Sequence, residues 1–271
     1  MIDIILESIK SNPVSTLVAN LQQFVPLYSH LPGAIVWDES ELLGLMTDLD
    51  PSESCIYRAA FMPEQASEKI EQVLQRYRSQ GCLPMYWQVG PSTLPIDLGK
   101  HLEARGFHFF VRVPGMAADL QELEKVQSSS AGNFDIEQIK DTAQLLQWVN
   151  IVASVDELSD ALRQGFYEVF ESQGLGPKAT CQLFIGMENG QPVATSRLIC
   201  AGGVAGIYHV ATLPEARGRG YGTAMTLAAA HAGRELGYHV GVLFASSAGY
   251  GVYRRLGFQD YCHVDVYKSP E

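Results

Sequence analysis

Three glycines at alternate positions, Gly218, Gly220 and Gly222, are interleaved with Arg217, Arg219 and Tyr221. Glycine lacks a Cβ, so the backbone there can take positive φ and come close to a bulky anion. Thr223 to Leu236 follows as a stretch of strong helix formers stopped by Gly237. The start of a helix presents unpaired N–H groups and a partial positive charge, a combination that suits phosphate or pyrophosphate. Arg217 and Arg219 would add full charges beside it. A P-loop needs Gly, four residues and then Gly-Lys-Ser/Thr, and the chain has no such run. A dinucleotide fingerprint needs Gly-x-Gly-x-x-Gly with an acidic residue in a following βαβ unit, and the Gly-x-Gly-x-Gly spacing here fits it poorly. What remains is Arg217-x-x-Gly220-x-Gly222, set directly after a strand, with an ordinary glycine-rich turn as the alternative.

The elements that must hold this loop can be read from the pattern. Gly206 to Thr212 is an apolar strand running into it, and Val240 to Ala245 is a second buried strand. Ser246 to Leu256 reads as a short helix closed by Gly257-Phe258. Upstream, Phe134 to Ile139 is a strand, Asp141 caps a helix to about Ala153, and Asp156 starts another to about Ser172. Asn189-Gly190, between the runs Cys181 to Glu188 and Pro192 to Ala201, is the strongest short hairpin signal in the chain.

The loop and the run Tyr253-Arg-Arg-Leu-Gly-Phe258, two motifs in this order, resemble the signatures of the GNAT acetyltransferase superfamily over roughly residues 134 to 268. The resemblance implies an α/β (α+β) fold, a mixed twisted sheet flanked by helices, and acetyl-CoA as cosubstrate. It places the pantetheine along Val210, Ala211 and Thr212, where a backbone N–H could polarise the thioester carbonyl. The pyrophosphate would lie on Arg217, Gly218, Arg219, Gly220, Tyr221, Gly222 and Thr223. Ser246 stands where the family often has an asparagine touching the cofactor. Tyr253 would be the acid, since a phenol of pKa about 10 stays protonated at neutral pH and can serve a departing thiolate. Tyr250 is a second phenol close by. For the base the candidates are His209, with a reference pKa of about 6.5, and the carboxylates Asp156 and Glu157, or no protein base at all. Phe166, Tyr167 and Phe170 recur at helical spacing, as a core face or as the lining of an acceptor pocket.

The N-terminal half carries a fainter copy of the same plan. Leu98 to Phe107 can be laid on Gly249 to Phe258, each following an apolar strand, so the halves are expected to be a tandem of related domains. The expected boundaries are a degenerate domain at 1–125, a Ser/Gly-containing linker at 126–133 and the acetyltransferase domain at 134–271. Leu102 stands where the second half has Tyr253, and no Arg-x-x-Gly-x-Gly occurs before residue 130, so the first half is expected to lack the chemistry. Residues 2 to 25 read as amphipathic helix interrupted at Ser11-Asn12-Pro13, Glu39 to Leu49 as polar or partly helical, and Pro63 to Ser79 as helix.

Composition narrows the partners. With 46% hydrophobic and 18% charged residues the chain can bury a core, and a net charge of −11 argues against nucleic acid and anionic membranes. Five cysteines without a CxxC pair or metal spacing read as reduced thiols, with no metal expected. No apolar run approaches the ~20 residues needed to span a bilayer. The expectation is therefore a cytoplasmic N-acetyltransferase acting on a primary amine of a small molecule or peptide by direct transfer in a ternary complex, with homodimerisation left open. A noncatalytic acyl-CoA sensor or scaffold, or an enzyme acting on a protein lysine or N-terminus, are the alternatives.

Overall fold

The computed structural model describes residues 13–23, 25–31, 33–50, 53–123, 133–179 and 181–270. Among these the strands run β1 (Ile35–Glu39), β2 (Leu42–Met46), β3 (Cys55–Ala59), β4 (Tyr86–Val89), β5 (His108–Asp119), β6 (Phe134–Gln138), β7 (Cys181–Glu188), β8 (Gln191–Ala201), β9 (Val204–Thr212), β10 (Val240–Phe244) and β11 (Gln259–Lys268). The helices are α1 (Pro13–Gln22), α2 (Ala66–Arg78), α3 (Leu98–Glu103), α4 (Leu120–Leu123), α5 (Thr142–Val155), α6 (Asp160–Ser172), α7 (Tyr221–Glu235) and α8 (Ser247–Leu256).

Two compact units result, and neither is a continuous stretch of chain. One consists of Met1–Asn20 with Gly115–Tyr261, the other of Leu21–Pro114 with Cys262–Glu271. The stretch 126–133, read from composition as the linker, lies outside the described residues apart from Asn133. The compact units divide the chain elsewhere, within β5 and within β11. The reason is strand pairing. The end of β5 pairs antiparallel with β10, Gly115 opposite Phe244 and Asp119 opposite Val240, so the first half of the chain completes the sheet of the larger unit. The end of β11 pairs antiparallel with β4, Asp265 opposite Val89 and Lys268 opposite Tyr86, and completes the sheet of the smaller one.

In the smaller unit β1, β2 and β3 are antiparallel and β4 lies parallel to β3 after the crossover helix α2. Ile70, Val73, Leu74 and Tyr77 of α2 are buried against this sheet, in a cluster with Trp87, Leu98 and Phe107. The Tyr77 hydroxyl donates to the Leu45 carbonyl at 2.8 Å. The segment Glu39 to Leu49, expected to be polar or partly helical, instead contains β2, every residue of which is buried. Central burial lets a continuous apolar run serve as a strand without alternation.

The larger unit repeats the plan. Strands β6, β7, β8 and β9 are antiparallel, and β10 lies parallel to β9 after the crossover helix α7. Asn189 and Gly190 take φ of 51° and 77°, the left-handed pair of a tight hairpin turn. Asp141 caps α5 by accepting from the Gln144 N–H at 2.9 Å. The cap of α6 is Ser159 rather than Asp156, which leaves the Asp156 carboxylate outside the helix it was expected to start. Helix α1 is bound to the same unit through Asn20, whose amide nitrogen donates to the carbonyls of Ala201 at 2.9 Å and Ile199 at 3.2 Å. Its carbonyl oxygen receives the Tyr208 hydroxyl at 2.6 Å. The cleft described below lies entirely within this unit.

Candidate active site

Strands β9 and β10 run side by side only briefly, Ala205 opposite Gly241 and Gly206 opposite Val242. Part of the cause lies on the other edge of β9. Its pairing with β8 slips between Thr195–Ala211 and Arg197–Tyr208, so His209 and Val210 together face Ser196 in a β-bulge. His209 takes φ of 45° there, a left-handed conformation that a histidine adopts at a cost of ~1–3 kcal/mol. Two side chains stabilise the break: the Thr195 hydroxyl donates to the His209 carbonyl at 2.8 Å, and the Trp148 indole donates to the Ser196 carbonyl at 3.3 Å.

A cleft of about 730 Å³ is lined by the end of β9, the loop after it and the start of α8. It gathers Val210, Ala211, Thr212, Arg217, Gly218, Arg219, Gly220, Tyr221, Gly222, Thr223, Ser246 and Tyr253. Val155, Asp156, Gly249, Val252 and Arg255 line it as well. Of the expected site residues His209 does not, and neither do the alternative base Glu157 and the second phenol Tyr250.

The glycine loop has the conformation its sequence implied. Gly218 and Gly220 take φ of 79° and 83°, and Gly220 is the residue that precedes α7. Gly222 is a different case, because it is helical and a Cβ built on it would meet nothing within 4 Å. A glycine inside a helix costs roughly 0.5–1 kcal/mol relative to alanine, and nothing in this fold requires one at that position. The space beside Gly222 belongs to the cleft.

The arginines have distinct partners. Arg219 donates through Nη1 to both carboxylate oxygens of Glu188, at 2.5 and 2.7 Å, and through Nη2 to the Glu215 carbonyl at 2.9 Å. Arg217 makes one hydrogen bond, from Nε to the Thr212 carbonyl at 3.2 Å. Ser246 caps α8 by accepting from the Gly249 N–H at 3.2 Å, so its hydroxyl oxygen serves the helix that carries Tyr253.

Tyr253 is 8% exposed and packs edge-on against Phe258, with ring centroids 6.0 Å apart. Burial pushes its phenol up to about 12, so the proton stays on at physiological pH. A Cβ at Gly249 would come within 2.7 Å of the Tyr253 ring, so that glycine makes the room the ring occupies. Tyr250, one turn from Ser246, points its hydroxyl to Asp260 at 2.8 Å.

His209 is placed against its expected role as base. Its ring meets Trp148, Phe170 and Phe166 edge-on at centroid distances of 5.5, 6.1 and 6.1 Å, and Nδ1 has no hydrogen-bond partner. Burial, reinforced by the Arg197 charge, pushes its pKa down to about 3. An imidazole this reluctant to accept a proton is a poor general base at neutral pH. Arg197 itself is buried, with its guanidinium 4.8 Å from the Phe170 ring centroid and its Nε 2.9 Å from the Cys181 sulfur. Phe166 and Phe170 therefore form core rather than an acceptor lining. Asp156 lines the cleft, and loss of hydration pushes its carboxyl pKa up. Glu157 beside it takes φ of 55°, the reversal that separates α5 from α6.

Residues 179–260 match the family model for the acetyltransferase (GNAT) domain. That stretch is similar to a GNAT domain. A GCN5-related N-acetyltransferase from Kribbella flavida superposes with a TM-score of 0.69 at 19% identity, over 93% of this chain and 96% of its own. A tandem GNAT protein from the clavulanic acid biosynthesis pathway superposes with a TM-score of 0.61 at 14% identity, over 89% and 85% of the two chains. A GCN5-related N-acetyltransferase from Sphaerobacter thermophilus gives 0.57 at 15% identity, over 87% and 75%. No curated protein sequence matches. The fold is thus the mixed α/β architecture of GNAT proteins, including a tandem one. Among the described residues no helix is long and apolar enough to cross a membrane.

Three contributors to the cleft and its loop escaped the motifs. Gly249 lies four residues before Tyr253 on α8, a spacing that puts the two on one helix face. Arg255, rather than its neighbour Arg254, lines the cleft, a choice set by helix phase. Glu188 ends the strand before the hairpin, and no local pattern ties it to Arg219, 31 residues later.

Proposed function

We propose that the chain is an acetyl-CoA-dependent N-acetyltransferase whose acceptor is a primary amine on a small molecule or peptide. The observation that carries this reading is Gly222: a helical glycine with open space at its Cβ, on the wall of a cleft that also presents a helix N-terminus, Arg217 and Arg255. Such a cradle suits the pyrophosphate of coenzyme A, since bare backbone N–H groups and cations can approach its oxygens.

When bound, acetyl-CoA would supply an acyl group activated as a thioester. The chain's own residues account for the rest. The bulge at His209–Val210 withdraws that segment from the β8 ladder, leaving the backbone beside Val210 and Thr212 to align the pantetheine arm. Asp156, the cleft's carboxylate, holds the acceptor's ammonium group and takes its proton, a task suited to a carboxyl pKa raised by dehydration. Tyr253 offers its hydroxyl, free of any hydrogen bond among the described residues, to the departing sulfur. Direct transfer in one ternary complex needs no cysteine nucleophile. Cys55, Cys82, Cys181, Cys200 and Cys262 are all absent from the cleft lining.

Calorimetry with acetyl-CoA followed by mass spectrometry of an amine library tests the proposal. Saturable binding and a mass gain of one acetyl group on a cationic amine are expected. Absence of acetyl-CoA binding would overturn it. Binding without transfer to any amine, peptide or protein would leave a sensor in place of an enzyme.

A further inference from the structure

Glu188 belongs to neither signature, yet one of its oxygens joins two parts of the phosphate cradle. Its Oε1 accepts the Tyr221 hydroxyl at 2.5 Å and the Arg219 Nη1 at 2.5 Å, while Oε2 accepts Arg219 again at 2.7 Å. Arg219 continues to the Glu215 carbonyl at 2.9 Å. The carboxylate therefore spans the loop from Glu215, before the glycines, to Tyr221, the first residue of α7. Its own position is fixed by the hairpin, where Glu188 pairs with Gln191 across the turn and with Phe134 on the other side. The Phe134 ring stacks on Tyr221 at 4.0 Å and 4°, which anchors the same residue a second time.

A carboxylate beside a pyrophosphate site is electrostatically unfavourable, because like charges disfavour one another. As a partly exposed ion pair it adds little to folding stability. Loop geometry is what it supplies. Arg219 is committed to Glu188, whereas Arg217 and Arg255 are in no ion pair among the described residues. The cradle thus divides its cations into a brace and two that remain open to a ligand.

We propose that Glu188 is a positioning residue for the phosphate loop, acting through Arg219 and Tyr221 and holding Gly218 to Gly222 in binding geometry before the ligand arrives. This rests on the acetyl-CoA reading above. Preorganisation of this kind removes an ordering cost from binding.

Glu188→Ala, Glu188→Gln, Arg219→Ala and the double variant Glu188→Ala/Arg219→Ala test the brace by acetyl-CoA calorimetry and steady-state kinetics. Glu188→Ala should weaken acetyl-CoA binding by about fivefold or more, the scale of coupling within one network. The loss should fall on KM for acetyl-CoA rather than on kcat or on KM for the amine. Glu188→Gln keeps an oxygen for Tyr221 and should recover part of the loss; being isosteric, it also serves if the alanine variant fails to fold. In the Arg219→Ala background Glu188→Ala should cost less than it does in the wild type, because only its hold on Tyr221 is left to lose. Fully additive losses, unchanged affinity in both Glu188 variants, or tighter binding after removal of the charge would each overturn the proposal. Wild-type protein that fails to bind acetyl-CoA removes the reading beneath it, whereas normal wild-type binding with indifferent Glu188 variants removes Glu188 alone.

Discussion

The Tyr250 hydroxyl donates to the Asp260 carboxylate at 2.8 Å, which leaves Tyr253, one turn further along the same helix, as the phenol with an uncommitted hydroxyl facing the cleft. Sequence alone offered both tyrosines. Tyr253→Phe is expected to cut turnover by roughly 10²-fold, the low end of general acid effects, with acetyl-CoA affinity nearly unchanged. Tyr250→Phe should retain activity. A reversed pattern in parallel kinetic assays would reassign the acid.

Gly222 allows a test in which stability and binding move in opposite directions. Gly222→Ala adds a methyl group where the structure has open space and improves helix propensity, so stability should rise by about 0.5–1 kcal/mol. Gly222→Val fills the same space further and should weaken acetyl-CoA binding by more than about tenfold, equivalent to ~1.4 kcal/mol. Thermal melts and calorimetry on one pair of variants read both signs. Weaker stability with unaltered binding would count against the cradle.

Asp156 predicts a trade between folding and function with a defined pH window. Its folded pKa is raised above the ordinary 3.8 by loss of hydration. The neutral form is therefore favoured by folding, a contribution fully present below that value and lost as pH rises through the folded pKa. At neutral pH the wild type carries the dehydrated charge, so Asp156→Asn should melt higher than wild type, and the gap should close on acidification toward pH 3.8. Turnover should fall by about 10²-fold or more if Asp156 takes the amine's proton. Equal melting temperatures at neutral pH, measured by calorimetry, would contradict the dehydration; full activity would remove it as the base.

Asn20 should matter far from its place in sequence. Its side chain is fully buried, and Asn20→Ala removes the acceptor of the Tyr208 hydroxyl and the donor to the carbonyls of Ile199 and Ala201, at an expected cost of ~1–3 kcal/mol. Gly206→Ala would drive a Cβ into the Asn20 amide and should destabilise the same unit. A fragment of residues 134–271 lacks Asn20, the end of β5 and the core residues Met116, Leu120 and Leu123, and should not fold by itself. Denaturant titrations of the two variants and circular dichroism of the fragment check these outcomes.

The loop, the hairpin at Asn189-Gly190 and the tyrosine before Gly257-Phe258 were legible because each depends on neighbours in sequence: left-handed glycines, a two-residue turn, a helix start. The tandem plan was legible through the repeated strand, helix and Gly-Phe order. The role of His209 was not, because a strand pattern does not reveal the bulge that turns its ring toward Trp148. Asp156 was misread as a cap, since Ser159 offers the same chemistry three residues later. Glu188 and Asn20 were hidden for a common reason: their partners are 31 or more residues away, where only tertiary structure brings them together.

The exchange of strands also sets an order of events on the ribosome. Asn20 of α1 must wait for its partners: the carbonyls that accept from its amide and the hydroxyl that donates to it belong to residues 179 to 188 positions later. The smaller unit lacks the β11 strand beside β4 until residues 259–268 have been made, long after β4 itself. Domains of many proteins fold one after another as they leave the ribosome. Here neither unit can close its sheet early: the larger one should become protease-resistant only once β10 is released, and the smaller one only after β11 has followed.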